Sequence, residues 1–172
     1  MSESVFDWRP FHADDFEACL NIFRSHLGTA FRNSEEAEFV EFLRQTGLGI
    51  APEHGSTQYF VGGGDDDPVA CGGIARAKEG NAFDLCWGMV HRDHVGAGLG
   101  KRLLRKRIEQ ICESDRAAEV RLITDRSTEP FFARFGFVRV HVQPNGLHDG
   151  VDAVRMAAAV SDVARSLCIA LP

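Results

Sequence analysis

Residues 90–101, Val-His-Arg-Asp-His-Val-Gly-Ala-Gly-Leu-Gly-Lys, place three alternate glycines where an apolar strand gives way to an amphipathic helix. Gly96, Gly98 and Gly100 have no side chain to hold a ligand off the backbone. The first turn of a helix adds unpaired N–H groups and the positive end of its dipole. Such a junction grips phosphate, and an anionic cofactor is its natural guest. Two common versions are excluded by counting. A dinucleotide fingerprint starting at Gly96 needs glycine at position 101, which is Lys101, and a P-loop ending in Gly100-Lys101 needs Ser or Thr where Arg102 stands.

The segment resembles instead the pyrophosphate loop of the GCN5-related N-acetyltransferase (GNAT) superfamily, usually Arg or Gln, two residues, Gly, any residue, then Gly or Ala. It is read here as Val95-Gly-Ala-Gly98-Leu-Gly100, with Val95 departing at the first position. Upstream, Phe83-Asp-Leu-Cys-Trp-Gly-Met-Val90 resembles the fourth strand of that family. Downstream, Phe131-Phe-Ala-Arg-Phe-Gly-Phe137 resembles its helix-to-strand signature, Phe-Tyr-x-x-x-Gly-Phe. The resemblance implies a mixed α/β fold: a mostly antiparallel, splayed sheet of about six or seven strands flanked by about four helices. It also implies acetyl-CoA as acyl donor, with no metal, and a primary amine of a small molecule or peptide as acceptor.

Acyl transfer from a thioester to an amine makes three demands. For donor binding, the resemblance assigns Val95, Gly96, Ala97, Gly98, Leu99, Gly100 and Lys101 to the pyrophosphate, and Met89 and Val90 to backbone pairing with pantetheine. For the oxyanion, a backbone N–H near Val90 is the candidate donor; such preorganised donors are worth a few kcal/mol in the barrier. For the amine proton, Asp84 stands eleven residues before Val95, where several family members carry a catalytic glutamate. Its neighbours Phe83, Leu85 and Trp87 are apolar, and burial would make it a better base. The other reading is a strand-end aspartate satisfied by nearby backbone. The usual tyrosine acid is replaced by Phe132, which cannot donate a proton and is expected to pack against the cofactor. Ser127 and Thr128 either substitute for it or cap the helix that starts there. His91 and His94 flank the loop, either idle in solvent or assisting proton transfer. His141 and His148, with His26 and Phe31, fall in segments that border the acceptor cleft in the family.

The elements that must position these groups follow from the pattern. A strand over 5–10 precedes a helix capped by Asp14 and carrying Phe16, Leu20 and Phe23; Ser34 caps a second helix with Phe39, Phe42 and Leu43. Strands over 58–62 and 69–77 flank a Gly- and Asp-rich turn, and a strand over 82–90 leads into the glycine loop. The helix from about Gly98 to Ser114 carries Leu99, Leu103, Leu104, Ile108 and Ile111 on one flank and Lys101, Arg102, Arg105, Lys106 and Arg107 on the other. Lys101 or Arg102 can also reach cofactor phosphate. A strand over 120–124, a short helix over 128–135 and strands over 138–142 and 151–156 complete residues 1–160 as one domain. Residues 161–172 form a packed terminal helix, a frayed tail or a dimer contact, so a monomer and a homodimer both stay open.

At 172 residues and 44% hydrophobic composition, one core suffices. A net charge of −6 argues against nucleic acid as partner. Five cysteines without a C-x-x-C pair suggest neither a disulfide framework nor a zinc site. The amino terminus lacks a signal-like run and no stretch reaches a membrane span, so cytoplasmic residence without membrane contact is expected. Because Val95 and Phe132 depart from two motifs, a non-catalytic acyl-CoA-binding module is the alternative to an acyltransferase, and a structural protein that borrowed the fold is the third.

Overall fold

The computed structural model describes residues 6–49, 56–64, 67–116 and 118–170. They form seven strands, β1 (Asp7–Pro10), β2 (Ser56–Gly64), β3 (Asp67–Arg76), β4 (Ala82–Val90), β5 (Glu119–Thr124), β6 (Val138–His148) and β7 (Val151–Ala159). One sheet holds them all in the order β1-β2-β3-β4-β5-β7-β6. Five α-helices accompany it: α1 (Phe16–Arg24), α2 (Asn33–Gly47), α3 (Leu99–Ser114), α4 (Glu129–Ala133) and α5 (Val160–Ser166). The expected mixed architecture is what the chain adopts. None of the described helices is long and apolar enough to cross a membrane.

Every neighbouring pair runs antiparallel except β4 and β5. A parallel pair needs a crossover, and α3 supplies it. That pair is short: Ala82, Phe83 and Asp84 oppose Glu119, Val120 and Arg121, and then the strands part. β4 stays with β3 as far as Val90, while β5 stays with β7 as far as Thr124. The sheet therefore opens as a V with its apex at Asp84 and Arg121.

Within the V, β4 carries one extra residue against β3, between Cys86 and Met89, and Trp87 takes a positive φ of 42° there. A bulge of this kind bends a strand and re-aims its groups. Each face of the sheet has its own core. On one, α3 and α5 pack Leu104, Ile108, Ile111, Val160 and Val163 against Ile74, Phe83 and Val120. On the other, α1 and α2 pack Phe23, Phe39 and Leu43 against Tyr59, Val61 and Met89.

Local chemistry shifts several expected boundaries. Asp15, rather than Asp14, organises the start of α1: its carboxylate accepts from the His12 N–H at 2.8 Å and from both Nη groups of Arg9 at 2.7 Å. At α2, the Glu35 carboxylate accepts from the Arg32 N–H at 2.7 Å, so Ser34 is not the cap. β6 continues past 142 because a register slip and a left-handed Asn145 (φ 52°) absorb the interruption by Pro144 and Gly146. Val5, Asp65, Asp66, Leu171 and Pro172, which fall in the predicted first strand, turn and tail, lie outside the described residues.

Candidate active site

The glycine loop delivers the predicted backbone. Gly96 and Gly98 adopt positive φ of 91° and 79°, a conformation that β-carbon sterics make costly for other residues. An added Cβ at either would meet no atom within 4 Å, so the space in front of the loop is open. Gly100 differs: it lies inside the first turn of α3, and its Cβ would touch the Phe131 ring at 3.5 Å. The Val95 and Ala97 amides bond the carbonyls of Arg92 and His94, and the Arg102 amide bonds the Gly98 carbonyl. The amides of Gly96, Gly98, Leu99, Gly100 and Lys101 meet no acceptor among the described residues. Five unpaired donors at a helix N-terminus make an anion cradle.

The register decides which strand groups face the V. The His91 N–H bonds the Val69 carbonyl at 2.7 Å, and Val90 opposes Ala70 in the next pair, a position whose N–H and C=O point away from β3. The side chain of His26 shows this direction independently: its Nε2 lies 2.6 Å from the Val90 carbonyl. A carbonyl only accepts, so Nε2 carries the proton and donates, leaving the Nδ1 lone pair open in the neutral ring. Met89 is different from what was expected. It opposes Cys71 in the adjacent pair, its backbone faces β3, and its side chain is buried against the α1–α2 layer. Only Val90 of this pair offers an N–H to the opened edge.

A family model for the acetyltransferase (GNAT) domain matches residues 28–160. The chain belongs to the GNAT acetyltransferase family. No curated protein matches it significantly. A GNAT-family protein of Desulfovibrio desulfuricans superposes with a TM-score of 0.76 at 18% identity, covering 91% of this chain and 99% of that one. The ribosomal-protein-S18-alanine N-acetyltransferase of Escherichia coli gives 0.71 at 16%, covering 91% and 95%. An aminoglycoside 6'-N-acetyltransferase complexed with coenzyme A gives 0.68 at 15%, covering 90% and 97%. These likenesses establish the fold.

In this GNAT domain the expected base sits apart from Val90. Asp84 is six residues away along β4, roughly 20 Å at about 3.3 Å per residue. It is not enclosed by apolar groups: its side chain is 34% exposed and receives Nε and Nη2 of Arg121 at 2.9 and 3.1 Å. This bidentate pair joins the last two opposed residues before the strands part. Phe132 packs edge-on against Phe131 and Phe137. Ser127 and Thr128 both donate hydroxyl hydrogen bonds to Asp125. Burial pushes the Asp125 carboxyl up, but the hydrogen bonds from Ser127 and Thr128 outweigh it and hold it below its ordinary value. Neither hydroxyl is a spare acid. His91 caps a short turn through Nδ1, His94 is exposed, and His141 lies exposed on the edge strand β6.

The basic flank of α3 also resolves. Arg102 stacks over Phe6 at 4.1 Å, Lys106 lies over Phe60, and Arg105 pairs with Glu109, while Lys101 is exposed at the loop. Arg107 departs from expectation: it is 4% exposed and points inward. Its place four residues after Leu103 and four before Ile111 puts it on the buried stripe, a spacing legible in the sequence and overridden by its charge. At the other side of the cleft, the segment between α1 and α2 is tied to the end of β4 by His26 and to the turn after it by the Arg92 N–H on Ser25 Oγ, at 3.1 Å. It is tied to the β6–β7 turn by Arg32 Nη2 donating to the Asp149 carbonyl at 2.8 Å. Phe31 and Trp87, both half-buried, face one another there with ring centroids 6.1 Å apart.

Proposed function

We propose that this protein transfers an acyl group, acetyl above all, from a coenzyme A thioester to a primary amine of a small molecule or peptide. The observation that carries the reading is the row of five unpartnered amides from Gly96 to Lys101 at the end of a strand that has left its neighbour. The amides would hold the diphosphate, and the parted edge of β4 would accept the pantetheine arm. When bound, the thioester supplies an activated acyl carbon.

The chain's own residues divide the work. The Val90 N–H is aimed at the opened edge, where it can receive the developing oxyanion. His26 fixes the adjoining Val90–His91 peptide by donating to the Val90 carbonyl, and in the neutral ring its Nδ1 lone pair is left to accept the amine proton. Asp84 remains the other candidate for the amine proton, reached through water from the apex of the V. Phe132 supplies ring surface and no proton. Amines as an acceptor class agree with relatives of the same fold that act on a ribosomal-protein alanine and on an aminoglycoside.

A silent acyl-CoA-binding module is the second reading, favoured by Val95 and Phe132. One experiment separates the two. Calorimetry with acetyl-CoA is expected to show binding that Gly98→Val weakens at least tenfold, and a panel of amines is expected to release free thiol from acetyl-CoA. Binding without thiol release across polyamines, amino acids, aminoglycosides and peptide N-termini would establish the module. No binding at millimolar acetyl-CoA would overturn both.

A further inference from the structure

Arg107 is a charge in a place where an apolar side chain belongs. Its neighbours on the same stripe of α3, Leu103, Leu104, Ile108 and Ile111, are all buried. Its Nε is sealed from solvent with no acceptor, and none of its other N–H groups bonds a described residue. Buried guanidinium groups are ordinarily paired, since an uncompensated buried charge is among the costliest features a core can hold. Burial pulls the Arg107 pKa down to about 10. No carboxylate among the described residues comes to its aid, and the groups that favour its charge are the Cys86 and Cys71 thiols and the Tyr59 hydroxyl. Tyr59 is itself committed to the Trp87 carbonyl at 2.8 Å.

The backbone has been cleared to admit this side chain. A Cβ on Gly88 would come within 2.7 Å of Nη1 and 3.0 Å of Nη2 of Arg107. Gly72, on β3, is packed as tightly from the other direction, its Cβ position 3.0 Å from the Gly88 Cα and 3.1 Å from Leu103. The guanidinium thus lies against the exposed Gly88 of β4, between the apex of the V at Asp84 and the outward amide of Val90. It is about 12 Å down α3 from the phosphate cradle at 1.5 Å per residue. α3 runs back along β4, so this is the direction in which a chain anchored by its diphosphate must extend.

The reaction has a need that the residues expected from the sequence do not fill. As the amine forms its bond to the acyl carbon and the carbon–sulfur bond breaks, the electron pair passes to sulfur. Phe132 has no proton to give, and the hydroxyls of Ser127 and Thr128 are spent on Asp125. We propose that Arg107 is the electrostatic partner of the coenzyme A sulfur: its unpaired guanidinium stabilises the thiolate, and solvent protonates the sulfur after release. This rests on the acyltransferase reading above and assigns a residue to its leaving-group step. A cation beside a thiol lowers its pKa, typically by about one to three units.

The test reads that ionisation directly. Free coenzyme A is bound to the wild-type protein, to Arg107→Met and to Arg107→Lys, and thiolate absorbance near the far ultraviolet is followed against pH, with desulfo-coenzyme A as blank. The bound thiol is expected to titrate at least one pH unit below free coenzyme A in the wild type, near the free value in Arg107→Met and between them in Arg107→Lys. Turnover is expected to lose kcat at least tenfold in Arg107→Met with KM little changed. A thiol that titrates alike in all three proteins overturns the proposal while leaving the acyltransferase reading intact. Preferential binding of succinyl-CoA over acetyl-CoA, abolished by Arg107→Met, would overturn it in favour of an acyl carboxylate as the partner. Failure of wild type to bind coenzyme A at all would instead remove the underlying function.

Discussion

His26 and Gly98 show how differently single residues can matter at one site. His26 contributes a directed hydrogen bond: truncation to Ala leaves the Val90 carbonyl without its donor and its peptide held by the His91 N–H alone. His26→Ala is expected to lower kcat roughly tenfold with a smaller change in KM, a loss of about 1.4 kcal/mol in the barrier. His26→Gln, which keeps an N–H donor, should recover part of it if positioning is the role and none if the Nδ1 lone pair takes the proton. A pH–rate profile of both variants separates these outcomes, with Asp84→Asn as the parallel control. Gly98 contributes only its freedom at φ 79°. Gly98→Ala should cost about 1–2 kcal/mol of stability from left-handed backbone strain. With open space before its Cβ it should retain more coenzyme affinity than Gly98→Val, which denaturation and calorimetry would show.

Elements set the distances between these residues, and the β4–β5 parting is the one that makes a site. The Asp84–Arg121 pair closes the apex, but both side chains are more than a third exposed, so Asp84→Asn should change stability by no more than about 1 kcal/mol. The close approach of Gly72 and Gly88 is less forgiving. Gly72→Ala would push a Cβ onto backbone at 3.0 Å, and a loss of about 1–3 kcal/mol is expected in chemical denaturation. At the β1–α1 junction the Asp15 carboxylate is nearly buried. Burial pushes its pKa up, but the Arg9 ion pair and the His12 N–H outweigh it and set it below its ordinary value. The unfolded chain therefore takes up this proton first as pH falls, and the stability it contributes is present above about pH 4 and lost as the pH descends through the folded value. Asp15→Asn should be less stable than wild type by about 1–3 kcal/mol at pH 7, with the gap closing in acid.

Across the whole molecule, the strand and helix order was legible because hydrophobic period and glycine punctuation agree along most of the chain. The loop from Gly96 to Lys101 was legible for the same reason, since backbone chemistry leaves a mark in glycine spacing. What the sequence could not display depends on contacts between distant segments. The V requires that β4 and β5 stop pairing after Asp84, the role of Met89 turns on register against Cys71, and His26 meets Val90 from 64 residues away. Arg107 was grouped with the basic flank of α3 because charge was weighed over position on the helix. Under the proposal above, the same residue links stability to activity. Removing its unpaired charge should raise the melting temperature of ligand-free Arg107→Met, by about 2–4 °C for each kcal/mol of burial cost relieved. Coenzyme A should then raise it by less than it raises wild type.

The bond from Arg32 to the Asp149 carbonyl joins the α1–α2 segment to the β6–β7 turn, the two segments expected from the family resemblance to border the acceptor. A hydrogen bond from a guanidinium is typically worth about 1.5–3 kcal/mol, and this one is exposed to competing water. A bulky acceptor that enters between these two segments would have to break it. Turnover of branched acceptors would therefore keep time with a clasp on the rim rather than with the chemistry beneath.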